Sequence, residues 1–246
     1  MWLTEGINSA LVSPQGGSVH GWFLDDHAIW GPSIMTKTGN QLKRRKESHW
    51  CFPQFGEAPE GQYFQPHHGY LRNADLLTHS RAKSFVFFTT EKKEGVGIIT
   101  HVEAFSMKLS VTLQAVNRGT ERVPVLPAFH PYFNVPKRGL TVSIGGETVI
   151  KAGSALVPLA HKVSNRGTSI QLNGRSVVVL LHGLGQVALN PSENCTHVML
   201  WSDQPNDYVC VEPVFGTPGT YATDKGQWLN PGQEVLYFCI FTFTPE

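Results

Sequence analysis

One histidine and one glutamate hold the most reactive positions in this chain. In Ala128-Phe129-His130-Pro131-Tyr132-Phe133-Asn134 a histidine sits among aromatic residues and just ahead of a proline. The segment ends a β-rich run, where a side chain can be aimed instead of packed. Far downstream, Tyr208-Val209-Cys210-Val211-Glu212-Pro213 puts a carboxylate on an otherwise apolar strand. Such a pair supplies one acid and one base to the same substrate. Glutamate is almost never fully buried without a partner. Glu212 shares a sheet face with Cys210 by the period of two. If that face is buried, the carboxylate is paired, protonated or at work.

Two more segments concentrate polar groups, Phe52-Pro53-Gln54-Phe55-Gly56 and Gln65-Pro66-His67-His68-Gly69-Tyr70-Leu71-Arg72-Asn73. The glycine after His68 lets backbone approach a ligand, and Arg72 offers a planar fork to oxygen atoms. His67 and His68 point to opposite sides of an extended backbone, so one of them is expected in a site. The aromatic residues Phe52, Phe55, Tyr70, Phe129, Tyr132, Phe133 and Phe215 suit stacking on the apolar face of a sugar ring. His68, His130 and Glu212 have the ligand types of a two-histidine, one-carboxylate iron site. They lack its compact spacing, so no metal is expected. A lone histidine in an apolar run is more often structural. His20, His27, His79, His101, His161, His182 and His197 have no motif around them and read as structural or surface residues. No GxSxG elbow, P-loop or dinucleotide fingerprint appears.

These residues need a scaffold, and the scaffold reads as β. The 246 residues are 41% hydrophobic, which suits a large core and argues against disorder. Basic residues number 20 and acidic residues 19, a balance with no electrostatic footprint for nucleic acid or anionic membranes. The one basic run, Lys43-Arg44-Arg45-Lys46, reads either as a solvated loop or as local attraction for an anionic substrate. Cysteines 51, 195, 210 and 239 form no CxxC pair and read as reduced core thiols. Neither a signal peptide nor an apolar run long enough for a membrane helix is seen. The expectation is a soluble cytoplasmic protein, monomeric by default, of one domain over residues 1–246.

Strands are predicted over 84–90, 96–103, 107–117, 140–144, 148–151, 176–181, 186–189, 197–201, 207–212 and 234–243. The last looks like a long strand closing the sheet. Residues 107–117 alternate polar and apolar almost without exception, as a strand with one wet face does. Helical periodicity is weak, with one or two turns possible over 73–80. Many strands joined by Gly- and Pro-rich turns fit an all-β, large antiparallel sandwich.

The four polar segments, in this order, resemble the aldose 1-epimerase (mutarotase) family, and in particular its hexose-6-phosphate mutarotase branch. That branch has FPQFG-like, HGFARN, HPYF and VCVEP segments. Here they stand as Phe52 to Gly56, His68 to Asn73, His130 to Phe133 and Val209 to Pro213. The resemblance implies a galactose mutarotase-like β-supersandwich with few short helical turns. It implies Glu212 as general base and His130 as general acid, on opposite sides of the C1–O5 unit of a hexose. His68 and Arg72 would bind the sugar, with Gln54 and Phe55 beside them. No cofactor is required; the ligand is a sugar or sugar phosphate. Relatives often carry RGGIP where this chain has Arg45-Lys46-Glu47-Ser48-His49. Arg45 survives from a phosphate-binding motif whose Gly-Gly-Ile-Pro turn does not. Asp203 stands in for the acidic residue that orients the sugar in many relatives. The competing reading is a non-catalytic sugar-binding or sugar-sensing module on the same fold.

Overall fold

A computed structural model describes residues 1–38, 41–61, 63–93, 95–153 and 167–246. Two large antiparallel sheets dominate. The first has nine strands in the spatial order Glu147–Ala152, Leu140–Ile144, Val177–Leu181, Gly185–Pro191, Glu234–Pro245, Lys108–Asn117, Val96–Phe105, Phe85–Lys93 and Leu77–Arg81. Its strands are long, and their burial alternates residue by residue over Val96–Phe105 and Lys108–Asn117. That alternation gives the sheet one dry face and one wetter face.

The second sheet is built from shorter pieces. Trp2–Glu5, Asn8–Val12, Val19–Leu24 and His27–Trp30 follow one another, and then the order leaves chain sequence. One edge of Tyr208–Val214 pairs with two short strands placed end to end, Tyr132–Asn134 and Ala128–His130. Its other edge pairs with His197–Trp201, which in turn carries Thr168–Gln171. His49–Cys51 lies beyond Ala128–His130. Proline at 131 has no N–H to give the ladder, and the line of Ala128–His130 and Tyr132–Asn134 breaks there. The Tyr132 N–H is satisfied within the break by the Ser48 hydroxyl, at 3.2 Å.

The sheets meet through aromatic residues. Trp30 from the second sheet packs edge-on to Phe241 of the first, ring centroids 4.6 Å apart, and touches Phe129 and Phe133 as well. Phe129, Phe133, Val209 and Val211 belong to this main core. Their neighbours Tyr132, Tyr208 and Cys210 form a separate cluster on the opposite face of the sheet. Period-two alternation therefore sends odd-numbered residues into the sandwich and even-numbered ones toward the site.

Some expectations need correction. Residues 73–80 hold no helix; a single 3₁₀ turn, Leu71–Asn73, precedes the strand Leu77–Arg81. Glu234–Pro245 lies inside the nine-stranded sheet, paired on both edges, instead of closing it. The basic run is no free loop: Gln41–Arg45 is a strand, hairpinned to Ile34–Thr38. The cysteines are free thiols, three of them buried. Among the described residues, no helix is long and apolar enough to cross a membrane. His161 lies outside the described residues.

Candidate active site

Sheet register assembles the reactive residues into one row. Cys210 pairs with Tyr132 and Val214 with Ala128, so the same register sets His130 opposite Glu212. His130 pairs on its far side with His49, and Glu212 on its far side with Met199. The row His49, His130, Glu212, Met199 thus crosses four strands and faces a cleft of about 960 Å³. His130 Nε2 lies 3.4 Å from Glu212 Oε1. His130 and Glu212 are side by side, a correction to the placement on opposite sides of a C1–O5 unit that the resemblance implied. The His130 ring is stacked between His49 (5.1 Å, 19° between planes) and Tyr132 (4.8 Å, 21°).

Burial sets the electrostatics of the row. Glu212 is 0% exposed and neither carboxyl oxygen has a hydrogen-bond partner. Loss of hydration pushes its pKa well above the usual carboxylate range. The same loss, with help from His49 and Arg72, holds His130 well below the ordinary histidine value. Both directions favour the uncharged pair, so its contact is no ion pair. One proton resting on Glu212 can move to His130 without changing the net charge of the pair. His49 Nδ1 lies 2.8 Å from the Glu47 carbonyl, which can only accept, so Nδ1 carries the proton. Its Nε2 is left as a bare acceptor with no protein partner. Burial, and then Arg72, lower the His49 pKa to about 4.

A second wall carries the other sequence segments. Phe52 and Gly69 form a parallel bridge, and a Cβ on Gly69 would lie 2.0 Å from the Phe52 carbonyl oxygen. The glycine is needed for that backbone contact, not for approach to a ligand. His68 itself has φ +64°, so strand alternation fails there and both His67 and His68 line the cleft. The expectation that only one of them would enter is corrected by this left-handed residue. His68 Nδ1 accepts the Gly56 N–H at 3.1 Å, which leaves Nε2–H as a donor. Phe55 packs on the His68 ring at 5.2 Å. Arg72, on the 3₁₀ turn, lines the cleft with a buried Nε that no protein group meets. Gln54 does not line it: fully buried, it donates to the Gly56 and Pro66 carbonyls and braces the loop.

At the mouth, Arg45 and Asp203 meet each other. Arg45 Nη2 and Nε donate to Asp203 Oδ2 at 2.6 and 3.0 Å. Asp203 also accepts from the Tyr208 hydroxyl, and the guanidinium lies 5.7 Å from the Trp201 ring centre. Arg44 pairs with Glu47 and Lys46 with Asp207, both at 2.9 Å. Among the described residues, His130, Cys210 and Glu212 bring possible metal-ligand atoms within 4.8 Å of one another. In that set Cys210 takes the place that the sequence reading gave His68. Its thiol is fully buried and pushed well up in pKa, so it stays protonated.

The aldose 1-epimerase family model matches residues 3–241. The chain belongs to the aldose 1-epimerase family. Solved structures agree on the fold. A galactose mutarotase-like protein from Lactobacillus casei ATCC 334 has a TM-score of 0.78 at 15% identity, over 99% of this chain and 99% of that one. An aldose epimerase homologue from C. elegans gives 0.72 at 11%, over 100% and 98%. Galactose 1-epimerase from Lactobacillus acidophilus NCFM gives 0.67 at 12%, over 98% and 92%. No curated protein sequence matches the chain. At such identities the solved structures establish the fold, and the epimerase class rests on the family match.

Sequence reasoning missed His49, which belongs to the row as fully as His130. Nothing in its neighbours marks it. Only the pairing of Cys51 with Ala128 brings it opposite His130, and that register is not legible from one strand of three residues. The site offers donors at His68 Nε2 and Arg72 Nε, and acceptors at His49 Nε2 and Glu212. Buried polar atoms normally have partners, and a hydroxyl-rich ligand would supply them here.

Proposed function

We propose that the cleft interconverts the α and β anomers of an aldohexose, with Glu212 as base and His130 as acid. The observation that carries this is the adjacent, buried His130–Glu212 pair at 3.4 Å, open to the cleft on one side. The anomeric hydroxyl oxygen and the ring oxygen share carbon 1, so two neighbouring groups can address them from the same side. Substrate binding draws the shared proton onto His130 and leaves Glu212 a carboxylate. Glu212 then takes the proton of the anomeric hydroxyl. The C1–O5 bond breaks with its electron pair going to O5, which receives the proton of His130. The open-chain aldehyde turns about C1–C2, and the reversed transfers close the ring as the other anomer. A carboxyl pKa raised by burial makes the ionised base stronger near neutrality, where acid–base catalysis is worth about 10²- to 10⁴-fold. His68 and Arg72 hold sugar oxygens, and Phe55 backs His68.

A hexose with a free 6-hydroxyl fits better than its 6-phosphate. Of the basic run, Arg44 and Arg45 line the cleft and are each already held by a carboxylate, as is Lys46 outside the lining, while Lys43 lines it too. The test is Glu212→Gln, followed by polarimetry or NMR exchange between anomers. Loss of the accelerated interconversion in a folded variant supports the reading. Unchanged turnover removes Glu212 from the mechanism. Saturable sugar binding by the wild type with no rate enhancement would assign a binding module instead.

A further inference from the structure

We propose that His49 reads the substituent on carbon 5 of the sugar, accepting a hydrogen bond from a free 6-hydroxyl at Nε2. This deepens the mutarotase reading and rests on it. The argument starts from order along the sheet. His49, His130 and Glu212 occupy three neighbouring strands in one row. Along one edge of a pyranose the oxygens follow in the order O6, O5, O1. With Glu212 at O1 and His130 at O5, the next position in the row falls on the far side of O5, where carbon 5 bears its hydroxymethyl group. His49 occupies that position, lines the cleft and is stacked on the proposed acid at 5.1 Å.

The chemistry of the nitrogen then selects the group. Nδ1–H is committed to the Glu47 carbonyl at 2.8 Å, so Nε2 presents a lone pair and no proton. Glu47 cannot easily move to release it. Its carboxylate is tied to Arg44 at 2.9 Å and to the Ser18 hydroxyl at 2.9 Å, with His20 at 3.5 Å. A neutral acceptor wants a donor. A 6-hydroxyl is one, a 5-position without the hydroxymethyl group offers none, and an ionised phosphate ester brings only further acceptors. Sites built to hydrogen-bond a hydroxyl reject analogues lacking it, because the buried polar group is left unpaired.

The experiment compares kcat/KM for an aldohexose, the matching aldopentose without carbon 6, and the hexose 6-phosphate, in wild type, His49→Gln and His49→Phe. Glutamine can place an acceptor oxygen near the lost Nε2; phenylalanine keeps the stack and offers none. Wild type is expected to prefer the hexose over both other sugars. His49→Phe should lower the hexose-to-pentose preference by about tenfold, the value of one hydrogen bond. His49→Gln should retain most of that preference. A preference unchanged in His49→Phe, with both sugars slowed alike, would make His49 a merely structural support and overturn the inference. So would wild-type turnover of the 6-phosphate equal to that of the hexose. Wild type accelerating none of the three sugars would instead overturn the mutarotase reading itself, and this inference with it.

Discussion

The nine-stranded sheet and the ten-stranded sheet divide the work unequally. The first is made of long, regularly alternating strands such as Val96–Phe105, Lys108–Asn117 and Glu234–Pro245, and it supplies none of the row that faces the cleft. The second is interrupted at Pro131, uses pieces of three residues at His49–Cys51 and Ala128–His130, and carries the whole row. Regularity provides burial, whereas interruption provides aim. Tyr208–Val214 takes part in both, with Val209 and Val211 in the main core and Glu212 on the cleft side, as does Ala128–His130 with Phe129 and His130.

This contrast can be broken from either side. The largest effect is expected at the row. Glu212→Gln should lower kcat by about 10²- to 10⁴-fold, the value of one acid–base group, while the thermal midpoint stays at or above that of wild type. A fall in midpoint would mean that the carboxyl also holds the sheet together. Trp30→Ala should do the reverse, costing about 3–5 kcal/mol of stability through loss of a buried aromatic. Denaturant titration would show it, and a cost under about 1 kcal/mol would say the sheets are not held through that tryptophan.

A pH effect of intermediate size belongs to His49. Its folded-state pKa of about 4 lies below the ordinary histidine value of 6.5. The unfolded chain therefore takes up a proton first as the pH falls. Stability from this group is fully present above pH 6.5 and is lost as the pH drops toward about 4, by about 3 kcal/mol. His49→Gln should remove that loss. If the variant keeps the same slope over this window, another group is responsible. The smallest effect is expected at the mouth. Arg45→Ala breaks a partly exposed ion pair, worth at most about 1 kcal/mol to stability. A change in selectivity between hexose and hexose 6-phosphate on that substitution would show that Arg45 leaves Asp203 to meet substrate.

The division also explains what the sequence made legible. Leu140–Ile144 and His197–Trp201 are observed with the predicted bounds, and most other predicted strands differ by one to three residues. Long amphipathic or β-branched runs announce themselves by period. Trp2–Glu5, Asn8–Val12, Val19–Leu24 and His27–Trp30 were not readable, because each is short and mixes polar with apolar residues. At the site, His130, Glu212, His68 and Arg72 stood out through their motifs. His49 did not, since its role is a matter of register and not of neighbours. Gln54 and Asp203 were readable as polar groups in the right segments. What their side chains bond, two loop carbonyls in one case and Arg45 with Tyr208 in the other, is decided by tertiary packing.

The register that sets His130 opposite Glu212 has a consequence for motion. Hydrogen-bonded strand pairs in a core open only with the larger unit to which they belong. Glu212 sits on a strand buried over its full length, with partners along both edges. Its backbone amide is therefore among those that exchange with solvent deuterium last, alongside the amides of the sandwich interior. On the proposed mechanism, the base is therefore anchored on a strand that opens only with the sandwich itself.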